Sequence, residues 1–526
     1  MAKKIDARSL HARLEGDQET ALIDVREQAP FAASHPILAA NIPLAQLELL
    51  AGERIPRLST PIIVEDGGEG IAEQAAAKLE AFGYTDVSVL DGGTPAWQAA
   101  GLELFSGMYV PSKAFGEFVE HAYGTPSVSA EELKAIMDSG RKLVVLDSRP
   151  MDEFRVMNIP SGIDVPGAEL VYRVGEVAPE PDTLVVVNCA GRTRSIIGAQ
   201  SLINAGVENK VVALQNGTMG WHLSGFELER GNHKYAAEAL SAGTVEKAKA
   251  RAAAVAARFE VPEVDQATLD SWMADESRTT FLLDVRHPHE FEAGRMPGAI
   301  SAPGGQLVQA TDRYAGVRGA RLVLVDDGNL VRARMTAHWL VQMHWDAYVL
   351  AGGLPETGLE SGKRPLNALG MPDVEMLDAA SAKAKLGAGW VAVDVATSRD
   401  YRLGHIPGAW WSTRARLAAA AKQLPDATGY VATSEDGVVA RYAAAELAAL
   451  TGKPTAALDG GTAAWQAAGL ALEAGETHHA DEPDDVWLKP YERKGVVEDF
   501  MREYLTWEID LIKQIERDDL VSFRSY

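Results

Sequence analysis

The chain has 526 residues, enough for three or more domains, and its 47% hydrophobic content is ordinary for a globular protein. Its 50 basic and 74 acidic side chains give a net charge of −24, which argues against nucleic acid and against an anionic membrane surface as partners. A single cysteine excludes an internal disulfide, and the first residues have no apolar core of signal-peptide length, so we expect a cytoplasmic protein.

The first predicted strand is a short apolar run that ends in Asp24 and is followed by Arg26. The same pattern recurs at Asp147 with Arg149, at Asp284 with Arg286, and at Asp394, where Ala396 replaces the arginine. These aspartates lie about 110 to 140 residues apart, so each repeat is a whole domain and not a solenoid unit.

Each apolar run is followed by a proline turn, a second strand, a helical stretch and a glycine-rich turn. The proline turns contain Pro43, Pro160, Pro297 and Pro407. The glycine-rich turns follow Leu90, Leu214, Leu350 and Leu458, and three of them lead to a tryptophan: Trp97, Trp221 and Trp465. Strands that alternate with helices in this way predict an α/β fold, in which each repeat has a central, mainly parallel sheet flanked by helices.

These repeats divide the chain into four predicted domains and a tail. We predict the first to fourth repeats at residues 1–107, 108–231, 232–362 and 363–476, and the tail at residues 477–526. Residues 235–259 read as a helical connector that is bent or broken near Gly243. In the tail, apolar residues at helical spacing predict an amphipathic helix that packs on another repeat or on a second subunit. They are Val497, Phe500, Met501, Tyr504, Leu505, Ile509 and Ile512.

Cys189 follows an apolar run in the second repeat, and helical spacing begins after Ser195. A lone cysteine can be a small buried hydrophobe. Here, however, the thiol lies at the start of a helix with Arg192 and Arg194 close by, and such surroundings stabilise a thiolate. The context therefore favours a reactive cysteine.

The Asp-x-Arg pattern, the proline turn, the cysteine loop before a helix and the glycine-rich element before tryptophan together resemble the rhodanese, or sulfurtransferase, domain. The resemblance covers nearly the whole chain as four tandem copies. It implies an α/β domain with a central parallel sheet, and transfer of a sulfane sulfur through a cysteine persulfide. Counting from the strand-end aspartates, we predict that Asp66, Asp327 and Ser434 stand where Cys189 stands. The three repeats without cysteine are then scaffolds.

The resemblance implies that the Cys189 thiolate attacks the outer sulfur of thiosulfate or a similar anionic donor, and that sulfite leaves. Cyanide or a thiol would then remove the sulfur from the persulfide, and no cofactor is needed. The residues expected to bind the donor are Ala190, Gly191, Arg192, Thr193, Arg194 and Ser195. Backbone N–H groups would hold the anion, and at least one arginine would bind the sulfonate oxygens. Thr193 and Ser195 offer hydroxyl groups, although Ser195 is equally suited to cap the helix.

Asp147 and Arg149 recur in repeats that lack cysteine, which favours a structural ion pair in support of the loop. Trp221 recurs as well and is expected in the core. His287 and His289, like His478 and His479, are expected to be solvated, so we predict no metal site. The first repeat, which has the shorter connector to the second, is expected to cover the active site.

Three other function classes stay open from the sequence. A phosphatase loop of the related cell-cycle type needs an arginine six positions after the cysteine, and Ser195 stands there. A non-catalytic scaffold or binding protein agrees with the three repeats that lack cysteine. A persulfide relay would pass sulfur to an acceptor protein in place of a small molecule. The loop matches neither of the best-known sulfurtransferase subfamilies, and its two arginines favour thiosulfate over mercaptopyruvate as the donor.

Overall fold

A computed structural model describes residues 3–237 and 239–526, and it confirms the predicted α/β class. Residues 1, 2 and 238 lie outside this description. Each repeat holds one five-stranded parallel sheet, and all four sheets have the same strand order. Within the described ranges, no helix combines the length and the apolar character that crossing a bilayer would require.

The first and second repeats show the order of elements. The first contains strands β1 Lys3–Ile5, β2 Ala21–Asp24, β3 Ala40–Asn41, β4 Ile62–Glu65 and β5 Val87–Leu90, and helices α1 Ala7–Leu14, α2 Gln28–Ala33, α3 Leu47–Arg54, α4 Ile71–Ala81 and α5 Gly93–Ala99. Helix α6 Val110–Tyr123 leads into the second repeat, with strands β6 Ser127–Val128, β7 Leu143–Asp147, β8 Ile163–Asp164, β9 Leu184–Asn188 and β10 Val211–Leu214, and helices α7 Ala130–Asp138, α8 Met151–Val156, α9 Leu170–Val177, α10 Thr193–Asn204 and α11 Gly217–Leu223. The sheet orders are β1-β5-β4-β2-β3 and β6-β10-β9-β7-β8.

The third and fourth repeats follow the same plan. Helix α12 Ala242–Arg258 precedes the third, with strands β11 Glu263–Val264, β12 Thr280–Asp284, β13 Ile300–Ser301, β14 Arg321–Val325 and β15 Asp346–Leu350, and helices α13 Gln266–Met273, α14 Pro288–Ala293, α15 Gly304–Gln309 and α16 Val331–Gln342. The fourth has strands β16 Met376–Leu377, β17 Val391–Asp394, β18 Trp410–Trp411, β19 Tyr430–Thr433 and β20 Thr455–Leu458, and helices α17 Ala379–Gly387, α18 Ser398–Leu403, α19 Leu417–Ala420, α20 Val438–Thr451 and α21 Gly461–Ala467; the tail adds α22 Val497–Ile515.

The central strands are buried on both faces, which explains their continuous apolar runs. All five residues of β9 are buried, and so are all five residues of β12. Because the strands are parallel, their carboxyl ends lie at one edge of each sheet, where ligands bind in open α/β folds. Asp147 ends β7 at this edge, and Cys189 directly follows β9.

The repeats pack against one another through apolar and charged contacts. The first and third share one apolar core, which runs from β2 and β4 to β12 and β14. The second and third are joined by Arg332, which donates to Glu169 at 3.0 Å. The first and fourth are joined by Arg414, which donates to both oxygens of Glu48 at 2.7 and 2.6 Å.

The linking segments differ from their predictions in detail. Helix α12 is not bent near Gly243; it begins at Ala242, because Ser241 caps it by accepting from the backbone N–H of Thr244 at 3.3 Å. His479 is not solvated, since its ring packs between those of Tyr401 and Trp411.

His287 is also packed against neighbours and not solvated. Its Nε2 lies 3.3 Å from a carboxylate oxygen of Glu169 and contacts the hydroxyl of Tyr235.

The tail forms the predicted amphipathic helix and packs within the same chain. Helix α22 lies against α6, with Met501, Leu505 and Leu511 buried. Ile509 is 45% exposed and lies off this face.

Candidate active site

Cys189 lies in a tight loop between β9 and α10, and only 3% of its surface is exposed. The loop is fixed to the glycine-rich turn before α11, where the backbone N–H of Thr218 donates to the carbonyl of Cys189 at 2.9 Å. Gly217 makes this approach possible: its φ is +56°, and a Cβ there would lie 2.3 Å from the same carbonyl oxygen. Only glycine allows both the conformation and the contact.

Ser195 contacts the sulfur atom of Cys189 directly. Its hydroxyl donates to Sγ at 3.1 Å, and both side chains are buried. Of the two roles considered for Ser195, the structure places its hydroxyl on the thiol. A hydroxyl donor stabilises a sulfur anion more than a neutral thiol.

The first repeat indicates where the loop N–H groups point. Asp66 stands at the cysteine position, and its carboxylate accepts at 2.7, 2.9 and 3.0 Å from the backbone N–H groups of Gly68, Gly70 and Ala72. The same steps along the chain from Cys189 lead to Gly191, Thr193 and Ser195. We call the backbone N–H groups of these three residues the anion cradle.

In the third repeat the cysteine position is Asp326, and the prediction of Asp327 is wrong. The strand register pairs Asp284 with Val325, just as it pairs the strand-end aspartate of the second repeat with the residue before Cys189. The Asp326 carboxylate accepts from the N–H groups of Asp327 and Ala333 at 2.7 and 3.1 Å. Two adjacent aspartates made the spacing ambiguous by one residue.

The fourth repeat has Ser434 at this position, as predicted. Its hydroxyl oxygen accepts from the N–H groups of Gly437 and Ala440 at 3.1 and 3.4 Å. In all three repeats without cysteine, therefore, a side-chain oxygen of the repeat itself occupies the place that an anion would take.

Arg192 holds the loop to α6. It donates to both carboxylate oxygens of Glu117 at 2.7 and 2.8 Å, to Glu120, and to the side chain of Asn216 at 3.2 Å. Burial alone would lower the pKa of Arg192, but the hydrogen bond and charge of Glu117, with the charge of Glu120, raise it. The sequence did not indicate these partners.

Arg194 lies on the other side of the loop, towards the third repeat. Its guanidinium donates to Glu153 at 3.1 and 2.8 Å and to the side chain of Gln306 at 3.1 Å. Burial opposes its charge, yet the charges of Glu153 and Cys189 raise the pKa of Arg194. Its charge therefore acts on the sulfur atom.

The tail contributes Glu508, a fully buried carboxylate, to the same loop. One oxygen accepts from Lys113 at 2.9 Å, from Tyr504 at 3.0 Å and from the hydroxyl of Thr193 at 3.2 Å. The other has no hydrogen-bond partner among the described residues, and it lies 2.9 Å from where a Cβ on Gly191 would be. The one sequence signal for this contact is a glutamate on the apolar face of α22.

The loop's hydrogen bonds to parts of the described chain outside the second repeat come from the tail and from the third repeat. These contacts differ from the expectation that the first repeat covers the active site.

Asp147 and Arg149 form a buried ion pair below the loop. Arg149 donates to both oxygens of Asp147 at 2.8 Å and to the carbonyl of Met157 at 2.6 Å. The same pair occurs in the first and third repeats, which supports a structural role. Trp221 is buried, as expected of a core residue.

The comparisons with known proteins agree with this geometry. The rhodanese-like domain family matches residues 6–100, 129–224, 265–358 and 378–468. A solved structure of thiosulfate sulfurtransferase from Pseudomonas aeruginosa is 49% identical, covers 99% of both chains and superimposes with a TM-score of 0.95. Thiosulfate sulfurtransferase GlpE of Pseudomonas fluorescens is 31% identical over 88 residues, which are 17% of this chain and 79% of that protein. The putative sulfur carrier protein YrkF of Bacillus subtilis is 26% identical over 155 residues, which are 27% of this chain and 82% of that protein. The chain belongs to the rhodanese-like domain family.

Proposed function

We propose that this protein is a thiosulfate sulfurtransferase in which Cys189 carries the transferred sulfur. One observation carries the proposal: Cys189 stands where the other three repeats each place a side-chain oxygen against the loop N–H groups. The second repeat alone combines these N–H groups with a nucleophilic thiol. The near full-length similarity to a thiosulfate sulfurtransferase supports the choice of donor.

The reaction proceeds in two displacements. The Cys189 thiolate attacks the outer sulfur of thiosulfate, the S–S bond breaks, and sulfite leaves with the bonding electron pair. The enzyme now holds a persulfide anion on Cys189. Cyanide then attacks the outer sulfur, thiocyanate leaves, and the thiolate is restored without any net oxidation or proton change.

The loop stabilises the sulfur anion at each stage. The anion cradle and the Ser195 hydroxyl supply hydrogen bonds, and the Arg194 charge favours an anionic donor beside Cys189. For Arg194 to bind the sulfonate oxygens, it exchanges its hydrogen bond with Gln306 for one with the donor. Arg192 is engaged by Glu117 and Glu120, so in this proposal it anchors the loop.

The acceptor is a small thiophilic molecule, cyanide or a thiol, and an acceptor protein is the second candidate. The second candidate is favoured by the similarity to a protein described as a putative sulfur carrier. A reactive free thiol also suits a reducing compartment, so we propose the cytoplasm as its location.

Thiocyanate formation from thiosulfate and cyanide tests the proposal. The wild-type chain should turn over, and Cys189→Ser should have no measurable activity, because a neutral hydroxyl cannot carry the sulfur. Asp326→Asn, at the equivalent position of the third repeat, is the matched control and should keep wild-type turnover. A wild-type chain without turnover, or an active Cys189→Ser variant, contradicts the proposal.

A further inference from the structure

A cavity of about 400 Å³ lies between the second and third repeats, and Cys189 does not line it. Much of its wall is apolar, with contributions from Pro150, Met151, Pro166, Pro288 and Pro303. The backbone of the glycine pair at 304 and 305 closes one side. A space of this size and character can hold a small organic molecule.

Asp164 lines this cavity and is fully buried. Neither of its carboxylate oxygens has a hydrogen-bond partner among the described residues. Burying a carboxylate without a hydrogen-bond partner is strongly unfavourable, more so than burying a neutral polar group. Asp164 is therefore a group that an added ligand could satisfy.

The other buried charged groups of the cavity wall are already paired, whereas Asp152 is exposed to solvent. Glu169 accepts from Arg332 at 3.0 Å and from Arg173 at 2.7 Å, and Arg286 is held by Asp284. The ligating atoms of Glu169, His287 and Glu290 lie within 4.8 Å of one another, but Arg332 donates to both carboxylates. The arginine supplies the positive charge that a metal ion would bring.

The fold does not require a carboxylate at this position. The register pairs the strand-end aspartate of each repeat with Asn41 in the first repeat, Asp164 in the second, Ser301 in the third and Trp411 in the fourth. Only the second repeat, which also has the cysteine, places an acid there. The carboxylate is therefore a feature of the second repeat and not of the shared fold.

We propose that this cavity binds a small apolar amine, whose ammonium group pairs with Asp164 and whose hydrocarbon part lies against the proline-rich wall. A cation is the ligand that compensates a buried carboxylate most completely. The proposal does not depend on the sulfur chemistry of Cys189.

The charges around Asp164 give the binding a pH dependence. Burial raises the pKa of Asp164 to about 8, with Asp147 and Asp152 adding to the rise and Arg149 opposing it. The phenol of Tyr235 faces the same acid from the connector. At pH 7 the acid therefore carries a proton, which a bound ammonium group displaces. Amine affinity should rise with pH up to about 8, and binding at pH 7 should release about one proton.

Calorimetry on the full chain with three probes of equal size tests the proposal: 2-phenylethylamine, the neutral 2-phenylethanol and the anionic 3-phenylpropionate. The amine should bind at least about tenfold more tightly than either of the others. Titrations at pH 7 in two buffers of different ionisation enthalpy measure the released proton.

Two variants assign the binding to Asp164. Asp164→Asn and Asp164→Ser introduce the residues that the first and third repeats carry at this position, so both should fold. Each should weaken amine binding about 10- to 100-fold and leave thiocyanate formation unchanged. Asp152→Asn, at an exposed lining position, should have a smaller effect.

Three results would each overturn the proposal. The wild-type chain could fail to bind the amine at millimolar concentration, the alcohol could bind as tightly as the amine, or both Asp164 variants could bind the amine as the wild type does.

Discussion

Cys189 presents a sulfur atom to the loop N–H groups, whereas its counterparts Asp66, Asp326 and Ser434 present oxygen atoms. The side-chain oxygens of each counterpart together accept two or three backbone hydrogen bonds within its own repeat. Sulfur is a weak acceptor, so the cradle in the second repeat keeps its capacity for a thiolate, a persulfide or a donor anion. The side chain at this one position thus distinguishes the loop of the second repeat from its three counterparts.

This comparison predicts that Cys189→Asp folds well but transfers no sulfur. The new carboxylate should accept the hydrogen bonds that Asp66 accepts, and the Arg194 charge favours it. Its free energy of unfolding should stay within about 1 kcal/mol of the wild type. Cys189→Leu, which leaves the cradle unsatisfied, should unfold at a lower temperature. Thermal unfolding of both variants checks this prediction. A Cys189→Asp variant less stable than Cys189→Leu would show that the loop N–H groups do not point at this side chain.

The two loop arginines should separate kinetically. Arg194→Gln should raise the KM for thiosulfate about tenfold or more, because a charge beside the sulfur is lost. Arg192→Gln leaves Glu117 buried without its partner, so it should lower the free energy of unfolding by about 3–5 kcal/mol. The unfolding temperature should fall accordingly, and kcat should fall as well. Steady-state kinetics measure KM and kcat for both variants, and thermal unfolding measures their stability. The same changes in KM, kcat and unfolding temperature for both variants would contradict the different roles of the two arginines.

At the scale of the element, the strand-end aspartate behaves differently in the fourth repeat. Asp394 has no arginine, one of its oxygens is unpartnered, and burial raises the pKa of this carboxyl to about 7. Between pH 4 and pH 7 the unfolded chain ionises Asp394 while the folded chain does not. The free energy of unfolding of the fourth repeat should therefore fall as the pH rises from 4 to 7.

Asp394→Asn should remove this penalty and stabilise the fourth repeat at pH 8, by roughly 1–4 kcal/mol. Asp147→Asn is the matched variant in the second repeat, where it breaks the buried pair with Arg149 and should destabilise by about 3–5 kcal/mol. Denaturant unfolding at pH 5 and pH 8 measures both. An Asp394→Asn variant as unstable as Asp147→Asn would contradict this prediction.

Local patterns predicted most of the elements, because strand and helix periodicity are local properties. The repeat, the Asp147 pair and the cysteine loop were all visible in short segments. The choice between Asp326 and Asp327 was not visible in this way, because the two residues are adjacent and identical. Only the strand register shows which of them stands at the cysteine position. Glu508 contacts Thr193 across 315 residues of sequence, and no local pattern encodes such a contact.

At the scale of the whole molecule, the tail completes the second repeat. Buried Glu508 and half-buried Tyr504 bring polar groups to the loop, and Lys113 on α6 donates to Glu508. Burial alone would lower the pKa of Lys113, but Glu508 and Tyr504 raise it. The tail and α6 therefore hold the loop together through one buried cluster of charged and polar groups.

Glu508 is a positioning residue in this account, and Glu508→Gln should separate binding from stability. Removing a negative charge beside Gly191 should lower the KM for thiosulfate roughly threefold to tenfold. The same change leaves Lys113 uncompensated and should lower the unfolding temperature. Glu503→Gln, an exposed site on the same helix, is the control and should change neither. An unchanged KM for Glu508→Gln would limit this residue to a structural role.

The central claim is that Cys189 carries sulfur, and the intact mass of the protein tests it most directly. Incubation with thiosulfate should add one sulfur atom, about 32 Da, and cyanide should remove it. Cys189→Ser should gain nothing under the same conditions. A wild-type mass that does not change with thiosulfate, or an equal gain on Cys189→Ser, would contradict the account.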